Sequence, residues 1–248
     1  MHSFFCPSRN ISKKKAVITD ASQLHHMRNV LRLKEHETVL INDEKQNRYK
    51  AAINKVSPSL IDLIIIEKLL SGDTVDSAVT IACAIPKGPR MDAIVDSLVQ
   101  LGVSRIVPLL TERVIVKLDE KKKMSRVQRW RKIATQACQQ SKRSSAVVID
   151  SVKDLKYFLE ESQSFDLRLM PTLGENNASV REIVKKRTFK DAVILIGPEG
   201  DFTPSEIALA QSFGFIPVSL GKLVLRVDTA AIAIAAYLRF SCLQHANS

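Results

Sequence analysis

A chain of 248 residues, 45% hydrophobic and with a mean hydropathy of −0.01, can bury one large core or two modest ones, which argues against an intrinsically disordered protein. Its formal charge of +11 and pI near 9.6 favour a polyanionic partner such as nucleic acid or a lipid surface. The longest apolar stretch, Ala230 to Leu238, is far shorter than the roughly 20 residues that span a bilayer, and the first ten residues lack a signal-peptide core, so we expect a cytoplasmic protein.

The positive charge is unevenly distributed. Residues 1–72 carry 12 basic against 7 acidic residues, residues 73–150 carry 14 against 8, and residues 151–248 carry 11 of each. The excess therefore lies in the first 150 residues, as expected if they bind a phosphate backbone. The four cysteines are far apart, with no CxxC pair and no histidine at ligand spacing, so we predict neither a disulfide framework nor a bound metal.

Short strands dominate the first 70 residues. One helix interrupts them, opening near Asp20 or Ser22, and the DEKQN segment is typical of a hairpin loop. A small β-barrel is the natural prediction, because short strands remove their exposed edges by closing. The LLSGDTVDS segment ends the pattern, so we predict domains over 1–72 and 73–248. The predicted strands are HSFFC, KAVIT, ETVLIN, NRYKAAI and LIDLIIIEK.

Strands and helices alternate in the second region. This alternation indicates an α/β domain with a mostly parallel sheet covered by helices. Thr203-Pro204-Ser205-Glu206 is a capping box with proline at the first helical position. In chain order we predict AVTIACAI, a helix over 90–101, RIVPLL, a basic helix over 120–142, AVVI, a helix over 152–161, FDLRLM, a helix over 178–187, AVILI, the capped helix ending at Gly214, IPVSL and a final helix from about Asp228.

The first candidate site is the Gly197-Pro198-Glu199-Gly200 segment. It directly follows a buried strand ending at Ile196, and ligands usually bind at the carboxyl ends of parallel strands. Its glycines would let the backbone approach a ligand, and the following helix N-terminus offers free amides. An ordinary strand-to-helix turn is the alternative interpretation. The chain has no GxGxxG or GxxxxGK[ST] motif, which argues against hydride or phosphoryl transfer.

The second candidate site is the loop between Leu220 and Ala230. Gly221 ends a strand, an apolar run follows, and Arg226 and Asp228 stand just before a helix. Asp228 or Thr229 could instead serve as the helix N-cap, and Arg226 could be a solvated charge. Two loops at the same end of one sheet favour a ligand site.

Basic residues in the first half are candidates for RNA contact. His25, Arg28 and Arg32 have the spacing i, i+3, i+7, which places them on one face of the predicted helix. Lys13, in a run of three lysines, could equally be a solvated charge, as could Lys121-Lys122-Lys123. Two further candidates, Lys87 and Arg90, follow a strand end in the PKGPR segment.

Taken together, five segments in order resemble the RsmE family of the SPOUT superfamily. They are LHHMRNVLRLK (24–34), PKGPRMDAIVDSLVQLGVSRIVPLLTER (86–113), RWRKIATQACQQSKR (129–143), IGPEGDF (196–202) and LGKLVLRVDTA (220–230). The chain departs from the family pattern at Gln100, Gln136, Asp201, Leu223 and Asp228. Leu223 replaces an arginine, and Asp228 keeps the charge of a glutamate with a shorter reach.

The resemblance implies a fold and an activity. The fold would be an N-terminal PUA-like β-barrel that binds RNA, followed by a SPOUT α/β domain with a trefoil knot, assembled as a homodimer. The activity would be S-adenosylmethionine-dependent methylation of N3 of a specific uridine in 16S ribosomal RNA, within the small ribosomal subunit. The final helix, rich in alanine, could pack against a partner or simply against its own core.

Site residues follow from the same resemblance. Contacts with the cofactor would come from Met170, Ile196, Gly197, Pro198, Glu199, Gly200, Leu220, Gly221, Leu225, Thr229 and Ala230. The candidates for RNA contact, chosen for their charge and position rather than from the resemblance, are Lys13, His25, Arg28, Arg32, Lys87 and Arg90.

The chemistry assigns roles to three side chains. N3 lies on the Watson–Crick edge, so the uracil must be unpaired or flipped out, and its departing proton leaves negative charge on the flanking carbonyl oxygens. Arg226 is the candidate to stabilise that charge, while Asp228, Glu199 or a water route would accept the proton. Two other functions stay open. One is a non-catalytic RNA-binding ribosome-assembly protein, and the other is methylation of another position such as a ribose 2′-hydroxyl.

Overall fold

A computed structural model describes residues 1–43, 47–69, 78–114, 119–141, 143, 146–174 and 177–245. The chain divides into two compact units. The first is Met1–Thr74 with Cys138–Ala146, and the second is Val75–Ala137 with Val147–Ser248. The predicted boundary between residues 72 and 73 lies outside the described residues.

The N-terminal unit is a curled five-stranded sheet, which confirms the predicted PUA-like β architecture. Its order is β1-β3-β4-β5-β2, with β1 and β3 parallel and the other pairs antiparallel. Alternate residues such as Val39, Ile41 and Ile53 are fully buried on its inner face. The tip of the DEKQN hairpin, residues 44–46, lies outside the described residues. The strands are β1 (Ser3–Phe5), β2 (Lys15–Ile18), β3 (Thr38–Asn42), β4 (Arg48–Val56) and β5 (Ile61–Leu69).

The helix after β2 differs from the prediction. Asp20 caps α1 (Ala21–His25) by accepting from the Gln23 amide at 2.9 Å, as expected. The chain then widens into a π-helical turn, His26–Val30, and Arg32 has a positive φ of 53°. A π turn holds more residues than an α turn and rotates every later side chain. The expectation that His25, Arg28 and Arg32 share one face of an α-helix was therefore wrong. Val30, the last residue of the π turn, is 58% exposed.

The C-terminal unit has a sheet in the order β12-β10-β11-β6-β7-β8, in which every described pair of neighbours is parallel. This confirms the α/β prediction. The trefoil knot stays a prediction. The strands are β6 (Ala78–Ala84), β7 (Arg105–Leu110), β8 (Val148–Ile149), β9 (Lys153–Asp154), β10 (Leu167–Pro171), β11 (Asp191–Ile196) and β12 (Ile216–Val218). The helices are α2 (Arg90–Gln100), α3 (Glu120–Gln140), α4 (Leu155–Glu161), α5 (Val180–Lys185), α6 (Pro204–Ser212) and α7 (Val227–His245).

Helix α7 packs against α2, β6 and β11. One stripe of its side chains is buried within the chain, with Val227, Ala231, Ile234, Ala235 and Leu238 at the helical spacing of a core face. Burial in the core of the chain thus accounts for two alanines of the final helix, Ala231 and Ala235.

Among the described residues, none of the helices combines the length and apolarity that a bilayer crossing requires.

Candidate active site

The carboxyl ends of β6, β7, β10, β11 and β12 lie at one edge of the sheet because these strands are parallel. After β6 the chain moves outward through β7 to β8, and it then returns to β10 and β11 on the other side. The strand order therefore reverses between β6 and β11. Ligands bind preferentially at such a point in open α/β sheets.

The loop after β11 is held by its own contacts. A Cβ on Gly197 would lie 3.1 Å from the ring of the buried Phe202, a tight contact that would require this ring to shift by a few tenths of an ångström. Asp201 has a φ of 60°, a conformation that glycine favours and aspartate tolerates. Its carboxylate accepts from the amides of Leu173 (3.0 Å) and Phe202 (2.8 Å). These two bonds stabilise the aspartate at this left-handed position.

Glu199 ties this loop to the loop after β6. Its Oε1 accepts from the Lys87 amide at 3.0 Å and from the Arg90 guanidinium at 3.1 Å. Burial, with a further contribution from the charge of Glu199, raises the pKa of Cys83 in β6 to about 12. The carboxylate thus already has two donors at the point where the strand order reverses. Of the two predicted RNA ligands in the PKGPR segment, Arg90 binds it through its side chain, whereas Lys87 contributes only its backbone amide.

Two anchors of the same loop escaped the sequence reasoning. Arg113 donates to the carbonyls of Gly200 and Phe202. The buried Glu206 completes the predicted capping box with Thr203 and also accepts from the Glu112 amide at 2.8 Å. Glu112 and Arg113 end the second segment of the family resemblance, but nothing in their local sequence points to a loop some 90 residues away.

The loop after β12 is far more open. Gly221 has a φ of 129°, which only glycine adopts without strain, and a Cβ there would meet nothing within 4 Å. Leu223 and Val224 are 80% and 75% exposed, whereas Leu225 is half-buried. The predicted apolar run therefore presents two large side chains to solvent.

Arg226 and Asp228 flank the start of α7. The Arg226 carbonyl accepts from the Ala230 amide at 2.8 Å, so Arg226 occupies the cap position, and Asp228 and Thr229 lie inside the first turn. The alternative that either of them is the N-cap was wrong. The Arg226 side chain is exposed and forms no ion pair with a described residue, Asp228 included.

Asp228 carries an unusual atom. Its Oδ1 is buried and has no hydrogen-bond partner among the described residues. A buried acceptor left unpaired costs about 1–3 kcal/mol, so such an atom calls for an explanation. Thr111 Oγ1, just past the carboxyl end of β7, is likewise buried and has no hydrogen-bond partner among the described residues. Two unpaired buried oxygens follow the carboxyl ends of strands in this sheet.

The two candidate loops are connected through the end of β10. The Thr172 amide donates to the Val218 carbonyl at 3.2 Å, and the next residue, Leu173, donates to Asp201. Of the other predicted cofactor residues, Met170, Ile196 and Pro198 are buried, Gly200 and Thr229 are exposed, and Leu220 and Ala230 are half-buried. The side chain of Met170 belongs to the core, so only its backbone is available to a ligand.

The predicted RNA ligands of the N-terminal unit lie at two places. Lys13 is exposed in the turn before β2. His25 and Arg28 lie beyond the other end of that strand, where Arg28 donates to the Pro58 carbonyl at 3.4 Å, and Arg32 is exposed past the π turn. No group of metal-ligating side chains occurs in the part of the chain that the structure describes.

Comparison with known proteins agrees with this architecture. The sequence model of the RNA methyltransferase domain family matches residues 74–239. That of the RNA methyltransferase PUA domain family matches residues 18–66. Ribosomal RNA small subunit methyltransferase E of Synechocystis sp. is 31% identical over 222 residues, covering 88% of this chain and 71% of the relative. The chain belongs to the RsmE family. The Bacillus subtilis member is 27% identical, covering 85% of this chain and 84% of its own.

Solved structures of relatives have the same fold. RsmE of Neisseria gonorrhoeae, bound to S-adenosylmethionine, superposes with a TM-score of 0.85 at 26% identity and covers 97% of this chain and 98% of its own. A Legionella pneumophila protein with bound S-adenosylmethionine gives a TM-score of 0.84 at 28% identity. The match covers 96% of this chain and 97% of the Legionella chain. The RsmE fold therefore extends over nearly the whole chain.

Proposed function

We propose that this RsmE-family protein transfers a methyl group from S-adenosylmethionine to N3 of a uridine in 16S ribosomal RNA of the small subunit. We also propose that it acts in the cytoplasm as a homodimer. Family membership supports the reaction class. One structural observation carries the proposal. At the start of α7, the Arg226 side chain forms no ion pair with a described residue, and Asp228 Oδ1 is buried without a hydrogen-bond partner among the described residues.

The residues at this edge suit the cofactor. Half-buried Leu225 and exposed Leu223 and Val224 offer apolar surface for an adenine ring, and Gly221 leaves open space beside the backbone. The buried Asp228 Oδ1 needs a donor, which an amino group, a hydroxyl or a substrate N–H would supply. When bound, S-adenosylmethionine supplies an electrophilic methyl group on a positively charged sulfur.

Methyl transfer to N3 requires the loss of one proton and the stabilisation of one negative charge. Asp228 is the better proton acceptor of the two predicted carboxylates, because Glu199 is already bound to Arg90 and Lys87. The Arg226 guanidinium is exposed, and in this proposal it would stabilise the negative charge that develops on the uracil carbonyl oxygens. Its permanent charge and planar donors suit a carbonyl oxygen held in a fixed orientation.

Glu199 has a positioning role in this proposal. By joining the loops after β6 and β11, it fixes the backbone on both sides of the point where the strand order reverses. In this proposal Glu199 does not accept the proton, because its Oε1 is already occupied by the Lys87 amide and the Arg90 guanidinium.

In the proposed function the N-terminal region supplies RNA affinity, because all of the excess positive charge lies in residues 1–150. Replacing His25, Arg28 and Arg32 with alanine should weaken RNA binding and lower its salt dependence by roughly one unit of log–log slope for each lost phosphate contact. Cofactor affinity should not change. An unchanged Kd for RNA over a salt series would place the RNA contacts elsewhere.

The activity is tested by mass analysis of small-subunit RNA from cells with and without this protein. The proposal expects one uridine to lose a methyl group at N3 when the protein is absent. A methyl lost from a ribose 2′-hydroxyl would establish a different acceptor. Calorimetry with S-adenosylmethionine and its demethylated product tests the cofactor, and no binding at millimolar concentration would favour a non-catalytic RNA-binding protein.

A further inference from the structure

We propose that a groove on the N-terminal unit binds a segment of single-stranded RNA. The groove encloses about 700 Å³ between residues 8–14 and strands β4 and β5. The residues that carry the argument are Lys13, Lys14, Tyr49, Ile64, Ile66 and Lys68. The inference rests on the proposed function, because it takes the substrate to be RNA and names which form of RNA the barrel holds.

The charge of the groove suits a phosphate backbone. Lys13, Lys14 and Lys68 are exposed and form no ion pair with a described residue. The two acidic side chains of the lining are already engaged. Asp43 is 1% exposed and accepts from the amide and side chain of Asn47, each at 2.8 Å, and Glu67 pairs with Lys50 at 3.8 Å. With three lysines against these two carboxylates, the lining carries a net positive charge.

The floor of the groove is apolar, which suits the face of a base. Ile64 and Ile66 are 44% and 54% exposed on β5, and the half-buried Tyr49 ring lies 6.0 Å from the Lys68 Nζ. Large exposed apolar side chains grouped between lysines are typical of a binding surface. Single-stranded nucleic acid binds by placing its backbone along cations and its bases on aromatic or apolar surfaces.

A β-bulge helps to form this floor. Ala51 pairs with Ile65 and Lys50 pairs with Glu67, so Ile66 is the extra residue between them. Bulges redirect a side chain and increase strand twist, and they are frequent next to functional sites. A base-paired duplex could reach the lysines but not this floor, because its base faces are stacked inside the helix.

The groove is separate from the other predicted RNA contacts on the same unit. Lys14 and Ile65 lie at the beginning of β2, where the Ile65 amide donates to the Lys14 carbonyl at 2.9 Å. Arg28 lies past the end of β2, beside the turn between β4 and β5. The four residues of β2 alone separate them by about 10 Å. Each place can therefore be mutated without touching the other.

The test compares two double variants of the full-length protein. Lys13→Ala with Lys14→Ala removes two groove lysines, and Lys34→Ala with Lys55→Ala removes two exposed lysines outside its lining. The probe is a labelled oligouridylate of about 12 nucleotides, with an RNA duplex of the same length. We expect the groove variant to bind the single strand roughly tenfold more weakly near 0.1 M salt, with a log–log slope shallower by about 1.4, and the control to change less than twofold.

A second pair of variants tests base stacking. Tyr49→Phe should retain single-strand affinity, whereas Tyr49→Leu should lose about fivefold or more. A thermal melt checks that each variant is folded, and the lysine pair tests the groove even if Tyr49→Leu is not. Equal affinities for the groove and control variants, equal losses for single strand and duplex, or no oligouridylate binding by the wild type would each overturn the proposal. The proposed function is judged separately, by cofactor binding and by methylation of small-subunit RNA.

Discussion

The two loops at the carboxyl edge of the sheet differ in how much of their chemistry is already used. The loop of residues 197–202 is fixed through Glu199, Asp201 and Arg113, which bind the loops after β6, β7 and β10. The loop of residues 219–226 presents exposed apolar side chains and leads to Arg226 and to Asp228, whose buried oxygen has no partner among the described residues. A carboxylate with its donors in place serves the scaffold, and one without them is available to a ligand.

Substitution of Arg226 should have the largest effect on the methylation rate, so it is the strongest test of the difference between the two loops. Arg226→Ala should slow single-turnover methylation by about 10²–10³, because in the proposed mechanism it removes the charge that stabilises the uracil oxygens. Cofactor affinity, measured by calorimetry, should stay within a few-fold of wild type, and Arg226→Lys should restore only part of the rate. Parallel losses of rate and cofactor affinity, with a lower Tm, would make Arg226 a structural residue.

Asp228→Asn is the next test, since it keeps the shape and removes the basic oxygen. We expect kcat to fall by about a hundredfold, at the lower end of what a lost proton acceptor costs. The KM for RNA should change little. If S-adenosylmethionine binding falls as far as kcat does, then the buried Oδ1 holds the cofactor and the proton leaves through water.

Glu199→Gln makes the same chemical change in the other loop and serves as the matched control. One amide oxygen remains for the Lys87 amide, while the half-exposed ion pair with Arg90 is lost, so the free energy of unfolding should fall by less than about 1 kcal/mol. Methylation should slow less than tenfold. A loss in kcat equal to that of Asp228→Asn, with an unchanged Tm, would return the proton-accepting role to Glu199.

The smallest expected effect concerns Asp201. Asp201→Ala keeps the positive φ without the two hydrogen bonds, so it should destabilise the fold by about 1–2 kcal/mol, seen as a Tm several degrees lower. Asp201→Gly loses the same bonds but relieves the backbone strain, and its Tm should lie above that of the alanine variant. Equal melting temperatures for the two variants would show that the left-handed conformation carries no measurable cost.

Much of the fold followed from patterns that act locally. The Thr203 capping box, the basic helix α3 and the buried strand before Gly197 are set by neighbours in sequence, and each was predicted in place. The π turn after His25 was missed, because hydrophobic spacing assumes a constant number of residues per turn. The contacts of Arg113 with Gly200 and of Glu199 with Arg90 span 87 and 109 residues, so no local pattern reveals them.

The sequence by itself determined the class of the protein, its two regions and the two loops that carry charged residues at strand ends, because segment order and residue type are enough to recognise them. It nominated Asp228 and Glu199 as alternative proton acceptors on equal terms, since a carboxylate has the same chemistry in any printed sequence. Only the tertiary structure separated them: Glu199 has two donors from a distant loop, whereas Asp228 Oδ1 is buried among the described residues without one. Whether a polar group is free to react depends on its partners in space, and folding alone assigns those partners.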